Sequence, residues 1–273
     1  MQLHDRVAVV TGGAKGIGFA LAQAFLGEGA RAVVVADLVQ GDVDAAVARL
    51  AERASGVAVD VSSSEGVAAL VSGVEREIGP IDLFVSNAGI GTGAGVEASD
   101  EQWDRIWRVN VLAHVHAARA VLPSMLARGE GYLLSTASAA GLLTQIGDLP
   151  YSVTKHAAVS VAEWLAVTYG DQGITVSCLC PQGVNTDLLT GGMGGSSVQT
   201  VVAQGLLEPE AVAQAVVAGL AAERFLILPH PEVAEYYQRR ASDPDRWLAG
   251  MTRLQARILH TLGEPPEAGA VPG

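Results

Sequence analysis

The chain has 273 residues, 49% hydrophobic and 17% charged, a composition that fits one large α/β domain with a substantial core. A formal net charge of -12 argues against nucleic acid, since neutralising phosphates needs a basic face, and equally against acidic macromolecular partners such as acyl carriers. No basic flank with an apolar run and small-residue cleavage site opens the chain, and no apolar run reaches membrane-spanning length. A cytoplasmic location without a membrane partner is therefore expected.

Taken in chain order, short Val-, Ile- and Leu-rich runs predict strands at Val7–Val10, Ala32–Ala36, Val57–Val61, Ile81–Val85, Tyr132–Leu134, Ile174–Leu179 and Phe225–Leu228, separated by helical stretches. Continuous apolar strands alternating with helices predict a parallel sheet covered on both faces, hence a single-domain, doubly wound Rossmann-type α/β fold of seven strands. Ligands of such sheets bind at the carboxyl ends of the strands. No internal repeat or linker divides residues 1–273. A Gly- and Ser-rich stretch around 186–208, centred on Leu188 to Gln204, is expected to be a mobile loop that closes over substrate and excludes water. A helical extension is expected over about 231–262, its partial stripe of Tyr236, Tyr237, Trp247, Leu248, Met251, Leu254 and Ile258 serving core or subunit packing.

The first strand-to-helix turn reads Thr11-Gly-Gly-Ala-Lys-Gly-Ile-Gly18. Gly12, Gly16 and Gly18 let backbone approach a pyrophosphate, and the helix beginning near Gly16 directs its amides toward that anion. Lys15 and Ile17 lie in the same turn. Asp37 ends the second strand, where a carboxylate accepts hydrogen bonds from the adenosine ribose hydroxyls and repels a 2′-phosphate. Apolar Leu38 follows in place of a phosphate-binding Arg, so NAD is expected over NADP; Lys15, a cation suited to a 2′-phosphate, is the dissenting residue.

Tyr151 and Lys155 share a helix face at i and i+4, so the ammonium is expected to lower the phenol pKa and ready it for proton exchange with an alcohol. Ser138 lies thirteen residues upstream, near a strand end. Cys178 and Cys180 alternate on a strand without further cysteine ligands and read as small core residues. His114 and His116 are two apart on a helix and face different directions, so no metal site is expected. His156 reads as a helix-surface residue.

With these elements in place the chain resembles the short-chain dehydrogenase/reductase (SDR) family from Leu3 to Leu228, carried by the glycine turn, Asp37, Asp60-Val61, Asn87-Ala88-Gly89, Asn110, Ser138, Tyr151 with Lys155, and Pro181 through Thr186. The resemblance implies an alcohol dehydrogenase or ketone reductase, with catalytic Asn110, Ser138, Tyr151 and Lys155, the Ser138 hydroxyl holding a substrate oxygen and stabilising charge on it. It implies that Asp60 and Val61 contact adenine, that Asn87, Ala88 and Gly89 run along the cofactor, and that Asn110 holds a water reaching the lysine. Lys155 would also bind the nicotinamide ribose, and Pro181, Gly183, Val184 and Thr186 would contact the nicotinamide end. Gln182 stands where the family often has glycine, and is a weak candidate for touching substrate. Family tetramers imply a homo-oligomer through the helices carrying Asn110 and Tyr151, and the Ala-rich Val153 to Val167 stretch is compatible with that.

Apolar residues in the loops that would build the pocket, Leu142, Leu143, Ile146, Leu149, Leu188, Leu189 and Met193, suggest a hydrophobic secondary alcohol or its ketone as substrate. Two other enzyme readings stay open: an NADP-dependent carbonyl reductase, and a serine hydrolase through Ser138, which lacks a Gly-x-Ser-x-Gly elbow. A non-catalytic dinucleotide sensor is the reading from another class.

Overall fold

Valines and alanines of β1 (Val7–Thr11) are apolar on both sides, and the strand is buried along its whole length. Val7 and Val9 enter one core while Ala8 and Val10 enter the other, because successive side chains leave a strand on opposite faces. The computed structural model describes residues 1–50, 52–191, 198 and 205–262. Within these residues β2 (Ala32–Asp37), β3 (Ala54–Ala58), β4 (Leu83–Ser86), β5 (Gly131–Thr136), β6 (Ile174–Leu179) and β7 (Leu226–Ile227) complete a sheet. Its order is β3-β2-β1-β4-β5-β6-β7, and every pairing is parallel.

Helices α3 (Ser64–Glu77), α5 (Ala113–Arg128) and α7 (Leu149–Tyr169) cover one face through Leu70, Val121 and Ala158. The other face carries α1 (Gly16–Gly27) and α2 (Gln40–Arg49) through Phe25 and Ala46, and α9 (Pro209–Ala221) through Val216. Shorter pieces border the carboxyl ends of the strands: α4 (Asp100–Trp107) with a π-helical turn at Arg108–Leu112, α6 (Ala140–Leu143) and α8 (Asp187–Gly191). Two helices, α10 (Glu232–Ser242) and α11 (Pro244–Leu262), follow β7. No helix among the described residues is long and apolar enough to cross a membrane.

β6 has the predicted bounds, β1, β2 and β5 run one or two residues beyond theirs, and β3, β4 and β7 depart more clearly from the sequence reading. β3 occupies residues 54–58 in place of 57–61: the Val59 N–H makes one last bond to the Asp37 carbonyl, and the chain then turns at Asp60 into α3. Val59 and Val61 are buried in that turn, so their hydrophobicity reported burial and not strand. β4 starts at Leu83, after Asp82 has bonded the Val7 backbone, and β7 is only Leu226–Ile227.

The strand order reverses between β1 and β4, which opens a crevice at their carboxyl ends. Asn87 staples the two: its N–H donates to Thr11 Oγ1 at 2.9 Å, and its Nδ2 donates to the Thr11 and Gly12 carbonyls at 3.0 and 3.2 Å.

Candidate active site

The crevice widens into a cavity of about 700 Å³, a volume suited to a dinucleotide with part of a small substrate. Gly12, Lys15, Gly16, Ile17, Asp37, Leu38, Asp60, Val61, Asn87, Ala88 and Gly89 line it from the β1–β4 side. Ser138, Tyr151, Lys155, Pro181, Val184 and Thr186 line it from β5, α7 and β6. These candidate residues, scattered over most of the chain, converge on one wall-to-wall space.

The turn after β1 works only with glycine. Gly12 has φ +61°, and a Cβ there would come within 2.9 Å of Ala88 Cα, so any side chain would close the crevice. Gly18 stands behind the cavity wall, where its missing side chain lets α1 pack onto the Gly12 carbonyl, which a Cβ would approach to 2.0 Å. The cradle that results, with amides at the start of α1 and Asp37 at the tip of β2, fits the pyrophosphate and ribose of a nicotinamide dinucleotide. Asp37 holds its place by accepting the Ala14 N–H at Oδ2, 3.0 Å, and the Leu38 N–H at Oδ1, 2.7 Å. Lys15 is engaged: its ammonium lies 2.7 Å from Oδ2 of Asp42 on α2.

At the other end Asp148 starts α7, its Oδ1 accepting the Tyr151 N–H at 3.0 Å, with Pro150 in the first turn. The same carboxylate accepts Thr92 Oγ1, the Thr92 N–H and the Gly93 N–H at 2.7, 2.9 and 2.7 Å, fastening the loop after β4 to the helix that carries Tyr151. Ser138 accepts the Ala140 N–H at 3.1 Å and donates to the Pro181 carbonyl at 3.4 Å. Among the described residues no histidine is hydrogen-bonded to Ser138; the ionisable group that meets its hydroxyl is the Tyr151 phenol.

Electrostatics correct one expectation. Burial pushes the Tyr151 phenol up to about 12, with the Ser138 hydroxyl pulling against it and the Asp148 carboxylate adding to the rise. Burial pulls the Lys155 ammonium down to about 8. Lys155 was expected to lower the phenol pKa, yet its Nζ lies 5.6 Å from the ring centroid and donates to the Thr136 carbonyl at 3.0 Å. Desolvation sets the direction of the phenol shift.

Asn110 and Gly183 are not among the residues that line the cavity. Asn110 is fully buried in the π-helical turn, its Oδ1 accepting the Ile90 N–H and its Nδ2 donating to the Ile90 carbonyl and Thr154 Oγ1. It anchors the loop whose side chain Ile90 faces the cavity. The Gly183 carbonyl is turned to Leu207 and His230.

Leu142 and Leu143 pack into the core and not the cavity, whereas Leu188 and Leu189 line it; Met193 and most of the expected 186–208 loop lie outside the described residues. His156 is half-buried, its Nε2 3.2 Å from Arg240 Nη1, and so is not a simple surface residue. His114 and His116 do diverge, toward Ser135 Oγ and the Val61 carbonyl. Cys178 and Cys180 are buried and free. Sequence reasoning missed Thr136, Ala137 and Gln145, which carry no residue-type signal, and Arg105 and Arg108, whose i,i+3 spacing on a helix was the available clue.

Comparison with known proteins agrees with this geometry. The short chain dehydrogenase family model matches residues 6–192. Meso-2,3-butanediol dehydrogenase of Serratia marcescens is 34% identical over 193 residues, 70% of this chain and 76% of that protein. The 3beta-hydroxysteroid dehydrogenase 2 of Eggerthella lenta is 34% identical over 195 residues, 69% and 75% of the two chains. A short chain dehydrogenase/reductase from Burkholderia phymatum, solved in complex with NAD, superposes with a TM-score of 0.83 at 30% identity, covering 90% of this chain and 96% of its own.

Proposed function

The chain belongs to the short-chain dehydrogenase family, and from that premise we propose that it is an NAD-dependent alcohol dehydrogenase and ketone reductase acting on a hydrophobic secondary alcohol or its ketone. The observation that carries the reading is the convergence of Ser138, Tyr151 and Lys155 at one end of a crevice whose other end is closed by Asp37. Bound nicotinamide supplies or accepts the hydride. Everything else falls to the chain. Tyr151 gives its phenolic proton to a carbonyl oxygen in reduction and takes one from the alcohol in oxidation. Ser138 holds the same oxygen while charge develops on it. The Lys155 ammonium supplies positive charge on the phenol side and hydrogen bonds for a ribose hydroxyl.

Two observations support NAD. A 2′-phosphate beside Asp37 meets a carboxylate, and the nearby cation, Lys15, is already paired with Asp42. The substrate class is supported by Ile90, Leu188 and Leu189 in the cavity wall, which Asp104, Arg105, Arg108, Gln145, Gln182 and Asp187 also line. A single compact domain in the cytoplasm, assembled as a tetramer, completes the reading: Trp164 and Val167 on α7 are 60% and 85% exposed, an apolar face suited to a second copy.

The test is a titration of the purified protein with NADH and NADPH, followed by a panel of alicyclic, aromatic and steroid-like alcohols against polyols and phosphosugars. Tighter NADH binding and faster turnover of apolar alcohols support the reading; faster turnover of polyols or phosphosugars contradicts the substrate class, and tighter NADPH binding the cofactor. Light scattering that gave a monomer at micromolar concentration would contradict the assembly.

A further inference from the structure

Gln182 occupies a place where glycine would be expected, and the backbone around it is held from elsewhere in the chain. His230, between β7 and α10, is 5% exposed. Its Nδ1 accepts the Gln182 N–H at 3.1 Å, and its Nε2 lies 3.1 Å from the Gly183 carbonyl. Those partners assign the tautomer. A backbone N–H only donates and a carbonyl only accepts, so Nδ1 is the lone-pair nitrogen and Nε2 carries the proton. From the opposite side the Leu207 N–H donates to the same Gly183 carbonyl, and the Asn185 N–H to the Leu207 carbonyl, both at 2.9 Å. The turn is thus gripped on two sides.

The gripped turn matters because of what it faces. Pro181, Gln182 and Val184 line the cavity beside Ser138 and Tyr151, and the Pro181 carbonyl accepts both Ser138 Oγ and the Ala139 N–H. We propose that His230 is a positioning residue, a splint that sets the Pro181–Val184 wall and through it the grip on the nicotinamide end of the cofactor. This inference rests on the dehydrogenase reading above. His230 immediately precedes the C-terminal extension, which gives the start of that extension a role.

The splint needs a neutral ring, because a proton on Nδ1 would face the Gln182 N–H. Burial pushes the imidazole below its ordinary value, against the opposing pull of the Glu232 carboxylate and the Gly183 carbonyl. The turn presents backbone groups to the ring, and Glu232, two residues on, is the carboxylate that acts on it. With the folded value depressed, the contacts are intact at neutral pH and are lost as pH falls through it.

The experiment measures NADH dissociation constants by fluorescence from neutral to acid pH for the wild type, His230→Phe, His230→Asn and Arg240→Met, with thermal melts to show that each is folded. Arg240 is the control: it bonds the Leu142 carbonyl from α10 and contacts His156, so its loss loosens the same extension without touching the turn. His230→Phe should raise the NADH constant about tenfold at neutral pH and raise the cofactor KM more than it lowers kcat. His230→Asn, which keeps an acceptor and a donor, should fall in between and serves if the Phe variant does not fold. Wild-type affinity should decline on acidification toward the level of the Phe variant, whose own affinity should lack that decline. Arg240→Met should stay within about twofold of wild type.

Unchanged binding in folded His230 variants, an identical acid decline in them, or equal weakening in Arg240→Met would overturn the splint alone. A folded wild type that bound neither NADH nor NADPH would overturn the dehydrogenase reading, and the splint with it.

Discussion

Lys15 Nζ lies 2.7 Å from Asp42 Oδ2, so the one cation in the glycine turn is engaged by an acid from the next helix. Asp37, close by, presents its carboxylate to the same end of the crevice. Together they predict discrimination against a 2′-phosphate. Replacing Asp37 and Asp42 by Asn removes two negative charges, the second of which is the partner of Lys15, and the ratio of kcat/KM for NADP over NAD should rise about tenfold or more. Paired steady-state assays with the two cofactors check this; an unchanged ratio would show that neither acid sets the preference.

Lys155 is nearly inaccessible, 2% exposed, and its burial has a thermodynamic cost visible in its pKa, which falls from 10.5 to about 8. Between those values the unfolded chain holds more protons than the folded one, so this group makes stability rise with pH across that window. The shift corresponds to about 3 kcal/mol at pH 7. Lys155→Met should therefore abolish turnover yet stabilise the fold by about 1–3 kcal/mol, after loss of the bond to the Thr136 carbonyl, raising Tm by roughly 2–10 °C. It should also flatten stability between pH 8 and 10.5, the interval set by the shifted lysine. Thermal melts across that range check both effects, and a lower Tm for the variant would contradict the burial argument.

Asp148 is 1% exposed and accepts four hydrogen bonds, three from backbone N–H groups. Asp148→Ala removes the cap of α7 and leaves the Thr92 and Gly93 amides without a partner, a loss of about 3 kcal/mol or more. Asp148→Asn should be almost as damaging, because an amide NH₂ would face either the two loop N–H groups or the Tyr151 N–H. Denaturant unfolding checks the loss. A wild-type midpoint for the Asn variant would show that the carboxylate is not the fastener between the β4 loop and the catalytic helix.

Much of this architecture is legible in the sequence because its signals are local. β1, β2 and β6 are read from continuous apolar runs, and the Gly12–Gly18 turn from its place between a strand and a helix. Ser138, Tyr151 and Lys155 are read from spacing and resemblance, and the fold brings them to the same cavity. What the sequence hides is tertiary. Lys15 meets Asp42 across 27 residues, Thr92 meets Asp148 across 56, and Gln182 meets His230 across 48. Asp148 carried half a signal: an Asp ahead of Leu-Pro reads as a helix N-cap, but nothing in the chain names Thr92 as its second partner. A glycine pattern marks backbone geometry without saying whether ligand or protein fills the space beside it, and at Gly18 protein fills it, the Gly12 carbonyl. The phenol pKa went astray for a related reason: i,i+4 spacing gives proximity, and burial, which decides the sign here, is not written in the spacing.

The central claim is that Tyr151 moves the proton while hydride passes between an apolar substrate and NAD. The most direct measurement follows nicotinamide absorbance during oxidation of a panel of apolar secondary alcohols by the wild type and by Tyr151→Phe, whose NADH affinity is measured alongside. The account predicts NAD-dependent turnover in the wild type and a loss of at least about a hundredfold in the variant, with NADH affinity kept within a fewfold. Equal turnover by the two proteins would contradict the assigned role of the phenol and with it the reading of the site.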